Sequence, residues 1–146
     1  MATTATFNIF SEISPAFSGI TKTMTLTKAG TLNDITETTG YSRRKLASTT
    51  PVDLITMANE LVEPNDNTAA KVFIANVGSP SSGIDKTTHV TISIGDTSGT
   101  TQEVGRLYGG DWLMMPVTVV DDMDVVATPS TDDVVVLEYV MFFEEG

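Results

Sequence analysis

A succession of short apolar runs, each closed by turn residues, constrains the fold of this 146-residue chain more than any other feature. In the segment THVTISIG, residues 88–95, apolar side chains alternate with polar ones from Val90 to Ile94. This period of two predicts a strand with one buried face. Comparable runs recur about every eight to twelve residues, a spacing typical of an all-β sandwich or barrel.

The same alternation or apolar enrichment predicts strands along most of the chain, and one segment is ambiguous. VDLITMANELVE, residues 52–63, fits either a short helix or another strand. The C-terminal run VVVLEYVMFF is apolar on both faces except at Glu138, so it should be a central strand or be sealed at an interface between subunits. The other predicted strands are 20–27, 69–78, 101–108, 111–116 and 122–128.

The stretch RLYGGDWLMMP, residues 106–116, contains a double glycine directly before the single tryptophan. Gly109 and Gly110 separate two strand-like runs by two residues, which predicts a type I′ or II′ hairpin turn rather than a phosphate-binding loop. We expect the next strand to bury Trp112 and to end its pairing at Pro116.

The N-terminal residues 1–19 have no steady period but contain three phenylalanines, Phe7, Phe10 and Phe17. A segment this short cannot form a core of its own, so its aromatic side chains need an apolar cover. We expect an extended N-terminal arm at 1–19 whose phenylalanines anchor it to another protein. The alternative is a frayed tail.

Residues 20–146 are expected to form a single β-sandwich domain with a long polar loop at about 29–51. That loop holds the one basic cluster of the chain, Arg43, Arg44 and Lys45. Loops of this length are often functional, so the cluster is a candidate contact with an acidic surface. A solvated loop is the simpler interpretation, because isolated surface charges contribute little to stability.

Charge and composition exclude several classes of function. The net charge is −11, and the residues from Asp96 onward carry eleven acids against the single base Arg106. Such a surface repels phosphate, so no nucleic-acid partner is expected. No apolar run approaches the roughly 20 residues that span a bilayer and no basic segment precedes an apolar one at the start, so we expect a soluble protein without a membrane partner or secretion signal.

The residues that carry chemistry are sparse. Cysteine is absent and His89 is the only histidine, which leaves neither a zinc ligand set nor a cupin-type metal site. Asp121, Asp122 and Asp124 could offer oxygen ligands to calcium, although solvated turn aspartates are the ordinary interpretation. We therefore expect no catalytic residues, no metal and no cofactor, and we do not expect an enzyme.

The C-terminal half also resembles a known group of proteins. The succession KVFIANVGS, HVTISIGDT, EVGRLYGGDWLMMP and DMDVVATPSTDDVVVLEYVMFF, over about residues 71–143, is similar to small structural proteins of tailed-bacteriophage virions. The resemblance implies an antiparallel β-sandwich, jelly-roll-like, that decorates or cements a capsid as an oligomer, commonly a trimer. It brings no active-site residues.

From the resemblance we expect a virion protein on the capsid surface, made in the host cytoplasm, with the major capsid protein and further copies of itself as partners. Its role would be to tie neighbouring capsid subunits together. The alternative is a tail, head-tail junction or fibre component, which includes a carbohydrate-binding sandwich that contacts the host surface. Exposed aromatic side chains would favour that alternative.

Overall fold

A computed structural model describes residues 4–9, 20–25, 37–57, 68–79, 83 and 86–143. These residues form eleven strands and no α-helix, which confirms the all-β prediction. None of them belongs to a helix long and apolar enough to cross a membrane. The strands are β1 (Thr4–Ile9), β2 (Ile20–Thr25), β3 (Glu37–Thr38), β4 (Ser42–Leu46), β5 (Val52–Ile55), β6 (Thr68–Gly78), β7 (His89–Gly95), β8 (Thr101–Tyr108), β9 (Trp112–Val119), β10 (Val125–Pro129) and β11 (Val135–Phe143).

Two antiparallel sheets pack face to face as a β-sandwich. Sheet I has the order β4-β11-β6-β9, with the short β3 beside the other end of β11, and sheet II has the order β5-β10-β7-β8. From β4 onward the chain changes sheet at every connection except the β7–β8 hairpin. This is the strand order of a jelly roll, so the predicted fold class is confirmed.

The core lies between the sheets and is built by the alternation that the sequence shows. Residues such as Val72 and Ile74 on β6 and Ile92 on β7 point inward and are fully buried. The C-terminal strand β11 lies between β4 and β6, as expected for a central strand, and contributes Leu137 and Met141. The remaining buried members of the core are Leu46, Leu54, Ile55, Met57, Ala70, Val90, Leu107, Val119, Val125, Ala127 and Val135.

The double glycine does not form a hairpin, so the type I′ or II′ prediction is wrong. Strand β8 pairs with β7, whereas β9 pairs with β6, and the turn between them carries the chain from sheet II to sheet I. The Asp111 N–H donates to the Tyr108 carbonyl oxygen at 2.9 Å, and only Gly110 of the two glycines has a positive φ, 93°. A positive φ at the third position belongs to a type II turn.

Strand β9 continues through Pro116, which pairs with Lys71, and ends at Val119, so the expected end of pairing at Pro116 is also wrong. Proline fits this position because β9 is an edge strand, and an edge strand needs only half of its N–H groups for the ladder. The ambiguous segment begins as a strand, β5, and its residues 58–63 lie outside the described ranges.

Part of the segment expected to be a polar loop is strand instead. Residues 42–46 form β4, an edge strand of sheet I on which Arg43, Arg44 and Lys45 pair with the apolar strand β11. Local sequence does not favour a strand here, because charged residues are depleted in strands. Pairing with β11 overrides that preference.

Strands β1 and β2 form a separate antiparallel pair, in register from Thr4↔Thr25 to Ile9↔Ile20. Phe7 lies on β1 opposite Lys22. Phe10 and Phe17 lie outside the described residues. Residues 20–25 are strand as predicted, and they pair with the expected arm.

Candidate docking surfaces

The polar side chains of the described ranges form no obvious reaction centre. Within 39–57, 70–79, 83 and 86–143, no three His, Cys, Asp or Glu side chains are grouped to hold a metal ion. His89 is half-buried on the outer face of sheet II, where its ring packs against Tyr108 with 5.2 Å between ring centroids. Three surfaces of the described residues are candidate docking sites.

The first surface is the part of the outer face of sheet I formed by β6 and β9, here called the sheet I face. Leu113 and Met115 of β9 pack against the core. Side chains alternate along a strand, so Trp112 and Met114 point outward. Trp112 is 47% exposed, and its ring lies 6.1 Å from that of Phe73, centroid to centroid. The outer side of a sandwich sheet is ordinarily polar, so this apolar face is unusual.

The exposure of Trp112 corrects the prediction that this residue is buried. An apolar run indicates that a strand has apolar neighbours, but it does not reveal which strand lies at an edge. Because β9 is the last strand of sheet I, Trp112 has a neighbouring strand on one side only. Tyr139, the other aromatic expected in a buried strand, is half-buried and packs against the core.

The second surface is a groove of about 540 Å³ between β8 and β9, here called the β8–β9 groove. Val104 on one wall is 50% exposed, and Met123 at one end is 42% exposed. Val104 turns outward because the β7–β8 register shifts between Ile92 and Ser93. The described residues that line the groove are mainly apolar: Ala70, Lys71, Ile94, Val104, Met115, Pro116, Val117, Thr118 and Met123.

The third surface is the opposite edge of sheet I, where Tyr41, Arg43 and Lys45 form the β4 stripe. Tyr41 is 64% exposed, and its hydroxyl donates a hydrogen bond to the Glu138 carboxylate. Arg43 Nε lies 3.7 Å from Glu138 Oε1, so Tyr41 and Arg43 share a side of the sheet, and alternation places Lys45 with them. The hydrogen bond to Glu138 raises the pKa of the Tyr41 phenol above its ordinary value.

Arg44 lies between these residues and points to the other side. Its Nη1 donates to the backbone carbonyl oxygen of Asp53 on β5 at 2.6 Å. Since β4 belongs to sheet I and β5 to sheet II, this hydrogen bond ties the two sheets together at their shared edge. The predicted basic cluster is thus divided: Arg43 and Lys45 are available on the surface, and Arg44 has a structural contact.

Asn76 is a buried polar residue whose role the sequence did not indicate. Its side-chain amide donates to the Leu107 carbonyl oxygen at 2.9 Å and accepts from the Gly78 N–H at 2.9 Å. Its backbone oxygen accepts from the Gly110 N–H at 2.8 Å. These bonds attach β6 to the turn between β8 and β9. The nearest sequence signal was the Asn-Val-Gly ending of the β6 run.

Asp124 is the second such residue. Asp121 and Asp122 are exposed as expected of turn aspartates, but Asp124 is only 7% exposed and its Oδ1 accepts from the Met57 N–H at 2.7 Å. Burial raises the pKa of the Asp124 carboxyl, while the Met57 hydrogen bond opposes the rise. Repulsion from Asp53 and other nearby carboxylates raises the pKa of Asp124 further.

A comparison of the chain with protein-family models finds no match, and neither does a comparison with curated proteins.

Proposed function

We propose that this chain is a non-enzymatic structural protein of a tailed-bacteriophage virion, which binds the outer capsid surface as an oligomer and cements neighbouring capsid subunits. The observation that carries the proposal is the sheet I face, where a half-exposed tryptophan packs beside Phe73 on the outer side of the sheet. Tryptophan is among the residues most often found at the energetic centre of protein interfaces. The jelly-roll order supports the proposal, because this fold is common in viral capsids.

The proposed mechanism is bridging. A cement protein faces a repeated surface, so an oligomer presents several copies of the same face to several capsid subunits at once. Modest contacts at each copy then add to tight attachment, because the second and third contacts form at high effective concentration. Each bound oligomer would hold its capsid subunits together against pressure from the packaged genome.

The charge distribution supports an outward-facing position for the rest of the domain. Most of the net charge of −11 comes from the C-terminal third of the chain. Particles that carry many copies of an acidic protein repel one another, which keeps them dispersed. This supports a surface role without specifying the partner.

A tail, head-tail junction or fibre role, with contact to the host surface, is the second candidate. Among the described residues, three aromatic side chains are well exposed: Tyr41 by 64%, Tyr108 by 37% and Trp112 by 47%. They do not line one cleft, because Trp112 lies on the outer face of sheet I and Tyr108 on that of sheet II. Isolated rings of this kind fit protein contacts better than a sugar-binding cleft.

Electron microscopy of virions tests the proposal by locating and counting the protein. Hundreds of copies on the capsid surface would support cementing, whereas a handful at the tail would favour the second candidate. Trp112→Ser should weaken rebinding to virions assembled without the protein by at least about tenfold in Kd. Tyr108→Ser is the matched control on the opposite face and should bind as the wild type does. Equal binding by Trp112→Ser would remove the sheet I face from the proposal.

A further inference from the structure

We propose that copies of this chain join head to tail, with the β4 stripe of one copy seated in the β8–β9 groove of the next. The inference rests on the oligomeric role proposed above and assigns the surfaces that would form it. The β4 stripe offers a projecting aromatic ring beside two cations, and the groove offers an apolar recess beside two exposed carboxylates.

The positions of the two surfaces require a second copy. Strand β4 is one edge of sheet I and β9 is the other, with β11 and β6 between them. Three strand spacings of about 4.8 Å separate these edges by about 14 Å across the sheet. One chain therefore presents the stripe and the groove on opposite sides and cannot bring its own stripe into its own groove.

The shapes of the two surfaces are complementary. Tyr41 is the most exposed large apolar side chain of the described residues, and its bond to Glu138 holds the ring in one direction. The groove of about 540 Å³ is large enough to take an aromatic ring. Its most exposed lining residues, Val104 and Met123, would be covered by such a contact. An aromatic anchor in an apolar recess is the usual centre of a protein interface.

Charge selects the orientation. Within the stripe, Arg43 and Lys45 follow Tyr41, and the exposed Asp121 and Asp122 directly precede Met123 at the groove. The groove also contains Lys71, and Glu103 beside Val104 is paired with Arg106 at 2.9 Å, so the negative rim depends on the two aspartates. Arg43 lies 3.7 Å from Glu138 of its own chain, so Lys45 is the cation that the contact places against the carboxylates of the neighbour.

A symmetric arrangement would bring like charges together. Two grooves face to face would oppose the aspartates of both copies, and two stripes would oppose their cations. Like-charge contacts disfavour both arrangements. The head-to-tail contact instead opposes Lys45 to the aspartates, and repeated contacts of this kind close into a ring when the rotation between copies permits.

A charge-swap experiment on the full chain tests the interface without any capsid. Light scattering coupled to size exclusion should find an oligomer for the wild type. Lys45→Glu and Asp122→Lys should each raise the Kd for self-association by about tenfold or more, and the double variant should recover association because its opposite charges face each other again. Tyr41→Ala and Val104→Asp should also dissociate the oligomer. Circular dichroism checks that each variant is folded.

Lys86→Glu is the matched control, since Lys86 is an exposed base in the segment before β7 and belongs to neither surface as defined above. It should associate as the wild type does. A wild type that stays monomeric at high concentration overturns the inference, as does a double variant no better than its single parents. A wild type that assembles through these residues yet ignores capsids would overturn the proposed function and leave the head-to-tail contact standing.

Discussion

Asp124 shows how one residue can link the pH to the stability of the fold. Its carboxylate is buried at the junction of β5, β7 and β10, where it accepts the Met57 N–H, and its backbone oxygen accepts the Gly95 N–H at 3.0 Å. Among the described residues, the charged groups that act on it are the acids Asp53, Asp96 and Asp121. Desolvation and this repulsion together disfavour the ionised form.

The sign of the effect follows from the raised pKa of Asp124. An unfolded aspartate titrates near pH 4, so above that pH the folded chain retains a proton that the unfolded chain has lost. The ionised Asp124 carboxylate therefore destabilises the fold most at neutral pH. This destabilisation disappears as the pH falls through the pKa of the folded state towards about 4. Asp124→Asn keeps an oxygen acceptor for Met57 and removes the ionisation.

We expect Asp124→Asn to be more stable than the wild type at pH 7, with a difference that shrinks as the pH approaches 4.5. Urea unfolding followed by the fluorescence of Trp112, at several pH values, measures that difference. Asp122→Asn is the control for the loss of an exposed carboxylate in the same turn. A constant difference for Asp124→Asn would contradict the prediction.

At this scale the sequence predicts which faces are apolar but not which polar residues are buried. Asp124 belongs to a run of turn aspartates that looks solvated, and its burial depends on Met57, 67 positions away. Trp112 looks like a core residue, and its exposure depends on the strand order. Both outcomes are set by contacts between segments distant in sequence, which local periodicity does not encode.

Among the elements, the β7–β8 hairpin joins two strands that the sequence predicts, 88–95 and 101–108. Its turn is closed by the Gly99 N–H, which donates to the Asp96 carbonyl oxygen at 3.0 Å. The Ser98 hydroxyl donates a hydrogen bond to the Asp96 carboxylate, and the Ser98 N–H donates a second one at 2.7 Å. These two hydrogen bonds lower the pKa of Asp96. Gly95 precedes the turn with a φ of 136°, in the region that favours glycine.

We expect Gly95→Ala to destabilise the fold by about 3 kcal/mol, because it combines an unfavourable φ with a backbone clash. A Cβ on Gly95 would meet the Thr100 carbonyl oxygen and would lie 2.9 Å from the Thr101 Cα. Gly99→Ala is the matched control in the same hairpin, where the nearest atom to a Cβ is 3.8 Å away, and should change stability by less than about 0.5 kcal/mol. Urea unfolding of both variants checks the difference, and equal effects would contradict it.

The strands β6, β7, β8, β10 and β11 were predictable because their alternation or apolar content is local. The connection at Gly109 and Gly110 was not, because two residues between strands suit a hairpin as well as a passage between sheets. The passage between sheets is stabilised by Asn76 on β6, which accepts a hydrogen bond from the Gly110 N–H and donates one to the Leu107 carbonyl oxygen. Strand β4 was missed for a related reason: its three charged residues pair with a mainly apolar strand about 90 positions later in the chain, as in Arg44↔Leu137.

For the whole molecule, the jelly-roll order leaves the two sides of the sandwich unlike each other. At the β4–β5 side, Arg44 bridges the sheets. At the β8–β9 side, the two strands join only at the turn after Tyr108, and an apolar groove lies between them. Edge strands that are neither covered nor charged tend to find a partner. The two edges of the sandwich are therefore different surfaces, as a head-to-tail assembly requires.

The β1–β2 pair shares no ladder with sheets I and II, which are made entirely of strands from Glu37 onward. We therefore expect a chain lacking residues 1–36 to fold into the same sandwich, with a β-type circular dichroism spectrum, cooperative unfolding and unchanged fluorescence of Trp112.

If the phenylalanines of the N-terminal arm are anchors, this chain should pellet with capsids at least about tenfold less than the wild type at equal concentration. The full-length triple variant Phe7→Ser, Phe10→Ser and Phe17→Ser should show the same loss, which separates the aromatic anchors from the mere length of the arm. Equal pelleting by the shortened chain would remove the arm as a docking element and leave the sheet I face to carry attachment alone.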